Sequence, residues 1–168
     1  MALTITAGDV FPDLALPDHT GVPRTLSELA AGDPVVLHTA RGWWCPKEQT
    51  FARRVLVPLQ DEAEVAYTRV VTVSTDPSGV TAAFRAGLGA RWPFLSDADH
   101  AYVDALGLRE STDTVHHVYA PYAFVLDPDL RVRRAWVGYW YWGRPSAEEL
   151  RAELRAATRA LRPDWDLP

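Results

Sequence analysis

The order of hydrophobic patterns predicts an α/β fold, a three-layer sandwich around a mixed central sheet. Three observations carry this. Short β-branched or apolar runs alternate with helix-period segments between residues 34 and 108. Two further strands follow around one tight turn, and a capped amphipathic helix closes the chain. Strand–helix alternation calls for a parallel sheet with helical cover, while paired strands about a turn run antiparallel, so the sheet is mixed.

Residues 8–34 are rich in Pro, Asp and Gly and read as an N-terminal hairpin. Its arms are Leu14-Ala15-Leu16 and Arg24-Thr25-Leu26, turning near Asp18-His19-Thr20-Gly21. Pro34-Val35-Val36-Leu37-His38 is the first core strand, ending near Thr39. A helix from Pro46 places Phe51, Val55, Leu59 and Ala66 on one face, with Arg53, Arg54, Glu62 and Glu64 largely on others. Pro58 lies inside it and predicts a kink. Residues 68–74 form a β-branched second strand, and Asp76-Pro77 caps a helix through Phe84 and Leu88. Phe94-Leu95 is a short third strand and 102–108 a short helix. Strands at 123–126 and 132–140 flank the turn Asp127-Pro128-Asp129. Ser146 and Glu149 form a capping box for a helix presenting Leu150, Leu154, Ala157 and Leu161 before Pro163 stops it.

At 168 residues and 48% hydrophobic content, residues 1–168 read as one domain, large enough for a core without staples. No apolar run reaches the length of a membrane span, and Met1–Thr6 lacks the features of a signal peptide. A cytoplasmic protein is expected. A net charge of −5 with scattered arginines argues against nucleic acid as a partner.

Chemistry concentrates at Cys45, the one cysteine of the chain. It stands in Arg41-Gly42-Trp43-Trp44-Cys45-Pro46-Lys47-Glu48-Gln49, between a strand and a helix start. Proline is well tolerated at a first helical position, so Cys45 falls at the N-cap. Free first-turn amides and the helix dipole then favour thiolate, the nucleophilic form, with Arg41 adding charge nearby. The ordinary alternative is a buried cysteine serving as a small hydrophobe.

Four short motifs stand in order along the chain: Gly8-Asp9-Val10-Phe11-Pro12-Asp13-Leu14, Cys45-Pro46-Lys47-Glu48, Val73-Ser74-Thr75-Asp76 and Pro93-Phe94-Leu95-Ser96-Asp97. The ordered set resembles the peroxiredoxins, the alkyl hydroperoxide reductase and thiol-specific antioxidant family. The resemblance implies a thioredoxin-like fold of peroxiredoxin type and reduction of a hydroperoxide by the Cys45 thiolate. It also implies that Glu48 bonds an active-site cation; the plain alternative is a carboxylate near a helix N-terminus. The family places proline seven residues, and threonine or serine three residues, before its cysteine, where this chain has His38 and Gly42. It also supplies an arginine from a later strand, near Pro121-Tyr122-Ala123 here, where none stands. Arg41 is the candidate replacement charge, and Thr39 or the Trp44 indole N–H the candidate donor.

Pro121 precedes a strand where thioredoxin-like folds carry a cis-proline facing the cysteine. Asp113, His116 and His117 lie just upstream, with His117 the better acid/base partner for Cys45 and a metal set disfavoured. No metal or other cofactor is expected. Trp43, Trp44, Pro121, Tyr122, Tyr139 and Trp142 are the expected pocket walls. Strand alternation pairs Trp136 with Trp140 and Tyr139 with Tyr141 on opposite faces, leaving one pair for a pocket or a homodimer interface. Two function classes stay open. One is peroxide reduction with an external low-molecular-weight thiol or thioredoxin-like reductant, since no second cysteine can resolve a sulfenic acid. The other uses the same scaffold for covalent or acid/base chemistry on a small apolar substrate, or for binding in a Trp-lined pocket.

Overall fold

The computed structural model describes residues 5–139 and 142–165. An N-terminal hairpin of β1 (Ala15–Pro17) and β2 (Pro23–Thr25) leads into α1 (Leu26–Ala30). Next come β3 (Val35–Thr39), α2 (Pro46–Phe51), a π-helical turn at Ala52–Leu56 and α3 (Val57–Val65). β4 (Arg69–Ser74), α4 (Ser78–Leu88), β5 (Phe94–Ser96) and α5 (Ala101–Ala105) continue the alternation. β6 (Ala123–Leu126), β7 (Val132–Trp136) and α6 (Ala147–Leu161) complete it.

The main sheet has the order β5-β4-β3-β6-β7. β3 runs parallel to β4 and β4 to β5, while β6 pairs antiparallel with both β3 and β7. The expected mixed sheet and separate hairpin are both present. β3 is central and buried along its whole length. Its alternation sends Val35 and Leu37 into a core with Phe11, Leu26, Val103 and Phe124. Val36 faces the opposite core, with Phe51, Leu56, Leu59, Leu150 and Leu154. His38 follows Val36 at the strand period, so a polar ring is delivered to the face covered by α2 and α6.

The structure departs from the sequence reading at identifiable points. The helix from Pro46 is not one kinked rod. Pro58 has no N–H and its ring would strike the carbonyl of Arg54, so the chain widens into the π turn, closed by Val57 N–H to Ala52 C=O. Asp76 does not cap α4, whose N-cap is Pro77 with no side-chain cap bond. The capping box of α6 forms as expected from Ser146 and Glu149. The short α1, also held by a capping box (Thr25 and Glu28), was hidden behind the hairpin signal. Asp97, in the Pro93–Asp97 motif, accepts from the Val103 N–H at 2.8 Å and the Tyr119 hydroxyl at 2.7 Å.

No cis peptide occurs among the described residues, so the expected cis-proline is absent and Pro121 follows a trans bond. The chain instead turns there by a Tyr122 N–H to Ala120 C=O bond of 2.9 Å. The expected strand at 132–140 also ends early, at Trp136. Gly138 explains the break, because its backbone lies directly on Pro121: a Cβ there would sit 1.7 Å from the Pro121 carbonyl oxygen. Beyond it, the backbones of Tyr139 and Trp142 exchange paired N–H···O bonds. Trp140 and Tyr141 lie outside the described residues, and with them the expected pairing of faces along 136–141.

Two glycine substitutions should therefore act in opposite directions. Gly138→Ala must push the 137–143 segment off Pro121 and should cost at least the ~1–3 kcal/mol of an overpacked site. Gly87→Ala, inside α4 with open space around it, should gain about 1 kcal/mol. Urea unfolding midpoints measure both, and equal effects would refute the close-approach account.

Candidate active site

The β3–α2 connection builds the site. Cys45 is the N-cap of α2 with Pro46 in the first turn, as the sequence indicates, and it makes no side-chain capping bond. Its backbone N–H donates to Gly42 C=O at 3.2 Å, tightening the loop that presents it. The sulfur-bearing residue is only 2% exposed. Arg41 reaches it from four residues upstream: Nη1 lies 3.7 Å from Sγ, while Nη2 donates to Asp113 Oδ2 at 2.7 Å. The guanidinium thus sets positive charge directly beside the sulfur.

Gly42 stands where the resemblance expected a hydroxyl residue, and no side chain fits there. Its φ is +138°, and a Cβ would meet Trp44 Nε1 at 2.6 Å and Asp76 Oδ1 at 3.3 Å. The indole edge of Trp44 thus occupies the space next to Gly42. The ring also stacks on His116 at 4.1 Å between centroids and lies under the Arg41 guanidinium at 5.3 Å. Asp76 Oδ2 accepts the Trp43 N–H at 2.9 Å. Burial pushes the Asp76 carboxyl up, against the pull of that N–H and of Ser74. Trp43 itself is 49% exposed and lines an apolar cleft of about 310 Å³ with Val80, Ala83 and Phe84 of α4.

One turn into α2, Glu48 is 1% exposed and enters a buried ionic cluster. Oε2 lies 2.9 Å from His38 Nε2, and Oε1 pairs with the Arg144 guanidinium. Burial pushes the Glu48 carboxyl up, but His38 and Arg144 together outweigh it and hold the group below its ordinary value. His38 therefore does more than replace a proline: it carries a polar contact from β3 to the helix that holds the cysteine. Arg144 is the residue the sequence reading missed. The signal was Gly143-Arg144-Pro145 just after the aromatic segment, because a buried carboxylate needs a cation from somewhere in the chain.

Other expected site residues are placed elsewhere. Thr39 is buried, but its hydroxyl donates to Ala120 C=O at 2.6 Å and accepts from Tyr122 N–H at 2.9 Å, bracing β3 against the start of β6. His117 pairs with Asp104 at 2.7 Å and stacks on His100, which turns it to α5 instead of Cys45. His116 meets Asp113 at 2.9 Å while His117 meets Asp104, so the adjacent rings engage different carboxylates. Pro121 is buried under Gly138, and Tyr122 is half-buried against Phe124 in the other core. Tyr139 and Trp142 are 52% and 74% exposed.

The AhpC/TSA family profile matches residues 7–135. The chain belongs to the AhpC/TSA family. A Mycobacterium tuberculosis protein named as a peroxiredoxin is 34% identical over 128 residues, spanning 74% of this chain and 80% of that one. The peroxidoxin BcpB of M. tuberculosis superposes with a TM-score of 0.75 at 27% identity, covering 95% of this chain and 99% of that one. The reduced Prx3 of Vibrio vulnificus, solved in complex with hydrogen peroxide, gives a TM-score of 0.79 at 25% identity, covering 90% and 99%. The peroxiredoxin fold is thus shown. Within it, this AhpC/TSA member carries its cation beside the sulfur on the same loop as the cysteine.

The Glu48 cluster has a pH signature. A carboxyl held lower in the folded chain than the ordinary 4.5 adds stability above that value, and the gain is lost progressively below it as pH falls through the lowered folded value. Glu48→Gln should flatten the acid limb of the stability curve. At neutral pH it should also lower stability, because the buried Arg144 guanidinium loses its carboxylate partner. Thermal unfolding between pH 3 and 7 tests this, and an unchanged acid limb would remove Glu48 as its source.

Proposed function

We propose that this protein reduces hydroperoxides, organic ones included, through Cys45, and that an external thiol regenerates it. The observation that carries the reading is the Arg41 guanidinium 3.7 Å from Cys45 Sγ in a site almost closed to water. The thiolate attacks the terminal oxygen of ROOH. The O–O bond breaks, RO⁻ leaves and takes a proton as ROH, and Cys45 becomes the sulfenic acid. An incoming thiol then forms a mixed disulfide with loss of water, and a second thiol releases the Cys45 thiolate and an external disulfide. No other cysteine stands in the 168-residue chain to take the first thiol's place.

In this scheme the charge of Arg41, 3.7 Å from the sulfur, is available to the negative charge that develops on the departing oxygen as the O–O bond breaks. A carboxylate at Glu48, paired with the Arg144 guanidinium and held by His38 Nε2 at 2.9 Å, is turned away from that positive charge while fixing the first turn of α2. Membership in the AhpC/TSA family supports the reading, as does the peroxide complex of the Vibrio vulnificus relative. The apolar cleft beside Trp43 suits the hydrocarbon portion of an organic hydroperoxide. A low-molecular-weight thiol or a thioredoxin-like protein is the reductant in this scheme. No helix among the described residues is long and apolar enough to cross a membrane.

Stoichiometric cumene hydroperoxide should yield a dimedone-trappable sulfenic acid at Cys45 and a change in tryptophan fluorescence. Cys45→Ser should show neither while remaining folded. Hydrogen peroxide should react no faster than the organic peroxide. Absence of the adduct, measured by mass spectrometry under conditions that oxidise an ordinary peroxiredoxin, would overturn the proposal.

A further inference from the structure

The geometry points to Asp113 as a positioning residue that holds Arg41 against the Cys45 sulfur. This inference rests on the peroxidatic reading above. Asp113 sits in the loop between α5 and β6, 72 residues beyond Arg41 in sequence, and its carboxylate is rigidly oriented. Oδ1 accepts the backbone N–H groups of Val115 and His116 at 2.9 and 2.8 Å, and that double anchor fixes where Oδ2 points. Oδ2 then receives Arg41 Nη2 at 2.7 Å, with His116 Nδ1 2.9 Å away on its other side. The side chains of Arg41 and Asp113 are 9% and 7% exposed, so water screens the pair weakly.

A guanidinium is a planar fork, and fixing one terminal nitrogen sets the direction of the other. With Nη2 on Asp113, Nη1 faces Sγ at 3.7 Å. Without the carboxylate, the guanidinium loses the partner that fixes Nη2, and with it the aim of Nη1 at the sulfur, which would then have to be recovered at the moment of reaction. The same loop also packs His116 on Trp44, the ring that lies beneath Arg41. The 113–116 turn thus acts on the site from outside the cysteine loop. Burial pushes the Asp113 carboxyl up, but the two backbone N–H groups, His116 and Arg41 outweigh it and hold the group well below the usual carboxylate range. It is therefore an anion whenever Cys45 is reactive.

The test is a double-mutant cycle on the rate of Cys45 oxidation by cumene hydroperoxide, followed by stopped-flow tryptophan fluorescence. Asp113→Asn keeps an oxygen for the backbone turn and removes the charge; it should slow oxidation about 10- to 100-fold, the range for losing one charge-assisted hydrogen bond. Arg41→Gln should slow it at least as much. Because Asp113 acts only through Arg41, the double variant should be no slower than Arg41→Gln alone. Asp113→Glu should recover most of the wild-type rate. If the two losses multiply, or if Asp113→Asn reacts at the wild-type rate, the inference is overturned. Asp113→Ser, which also accepts turn bonds, replaces Asp113→Asn if that variant does not fold. The same cycle read on iodoacetamide alkylation of Cys45 needs no peroxide chemistry. Coupling there, with no peroxide reaction in the wild type, would sink the peroxidatic reading and leave the Asp113–Arg41 linkage standing.

Discussion

A carboxylate buried to 1% exposure inside an α/β core must be met by polar partners where it stands, and Glu48 imposes that requirement on two other parts of the chain. An unpaired charge at such a depth costs several kcal/mol, more than a marginally stable domain can spare. β3 therefore has to offer His38 at a position where strand period alone would suit another apolar residue. The segment after β7 has to return Arg144 to the same point before α6 begins. The N-terminal turn of α2 is thereby held on two sides, and Cys45, three residues before Glu48, inherits the fixed geometry.

The cysteine loop obeys a second constraint, that of space. Gly42 adopts a backbone conformation with φ +138° that side chains rarely take, and Trp44 fills the volume a side chain would need. A hydroxyl residue is thus excluded at the third position before the cysteine by crowding as well as by dihedral angle. In exchange the loop carries an arginine beside the sulfur and a large ring beneath that arginine. Charge that the family is expected to draw from a later strand comes here from the residue next to Gly42. The position on the later strand is free to become Pro121, on which Gly138 packs without a side chain between them.

Much of this was legible in one dimension because it depends on local rules. The N-cap at Cys45 follows from Cys-Pro before a helical run, the α6 start from Ser146 and Glu149, and the β3 burial from a short, mostly apolar stretch. Arg41 was readable as a charge near Cys45 because four residues cannot carry it far. The errors share a cause too. His117 was placed near the cysteine by neighbourhood in sequence, yet adjacent loop residues point apart, and its ring found Asp104. Thr39 was read as a free donor, although a buried hydroxyl is claimed by the nearest carbonyl, here that of Ala120.

By itself the sequence determined the layer architecture, the mixed sheet and the position of the one thiol at the start of a helix. Periodicity, caps and turn residues act over a few bonds, so no distant contact is needed to express them. Tertiary structure alone decided which cation neutralises Glu48, which carboxylate orients Arg41 and where β7 ends. Each of those depends on two segments meeting: Arg144 with Glu48 across 96 residues, Asp113 with Arg41 across 72, and Gly138 with Pro121 at a backbone contact. Coulomb attraction in a dry interior and exclusion of overlapping atoms select those partners, and both operate on distance in space, which one chain read in order does not contain.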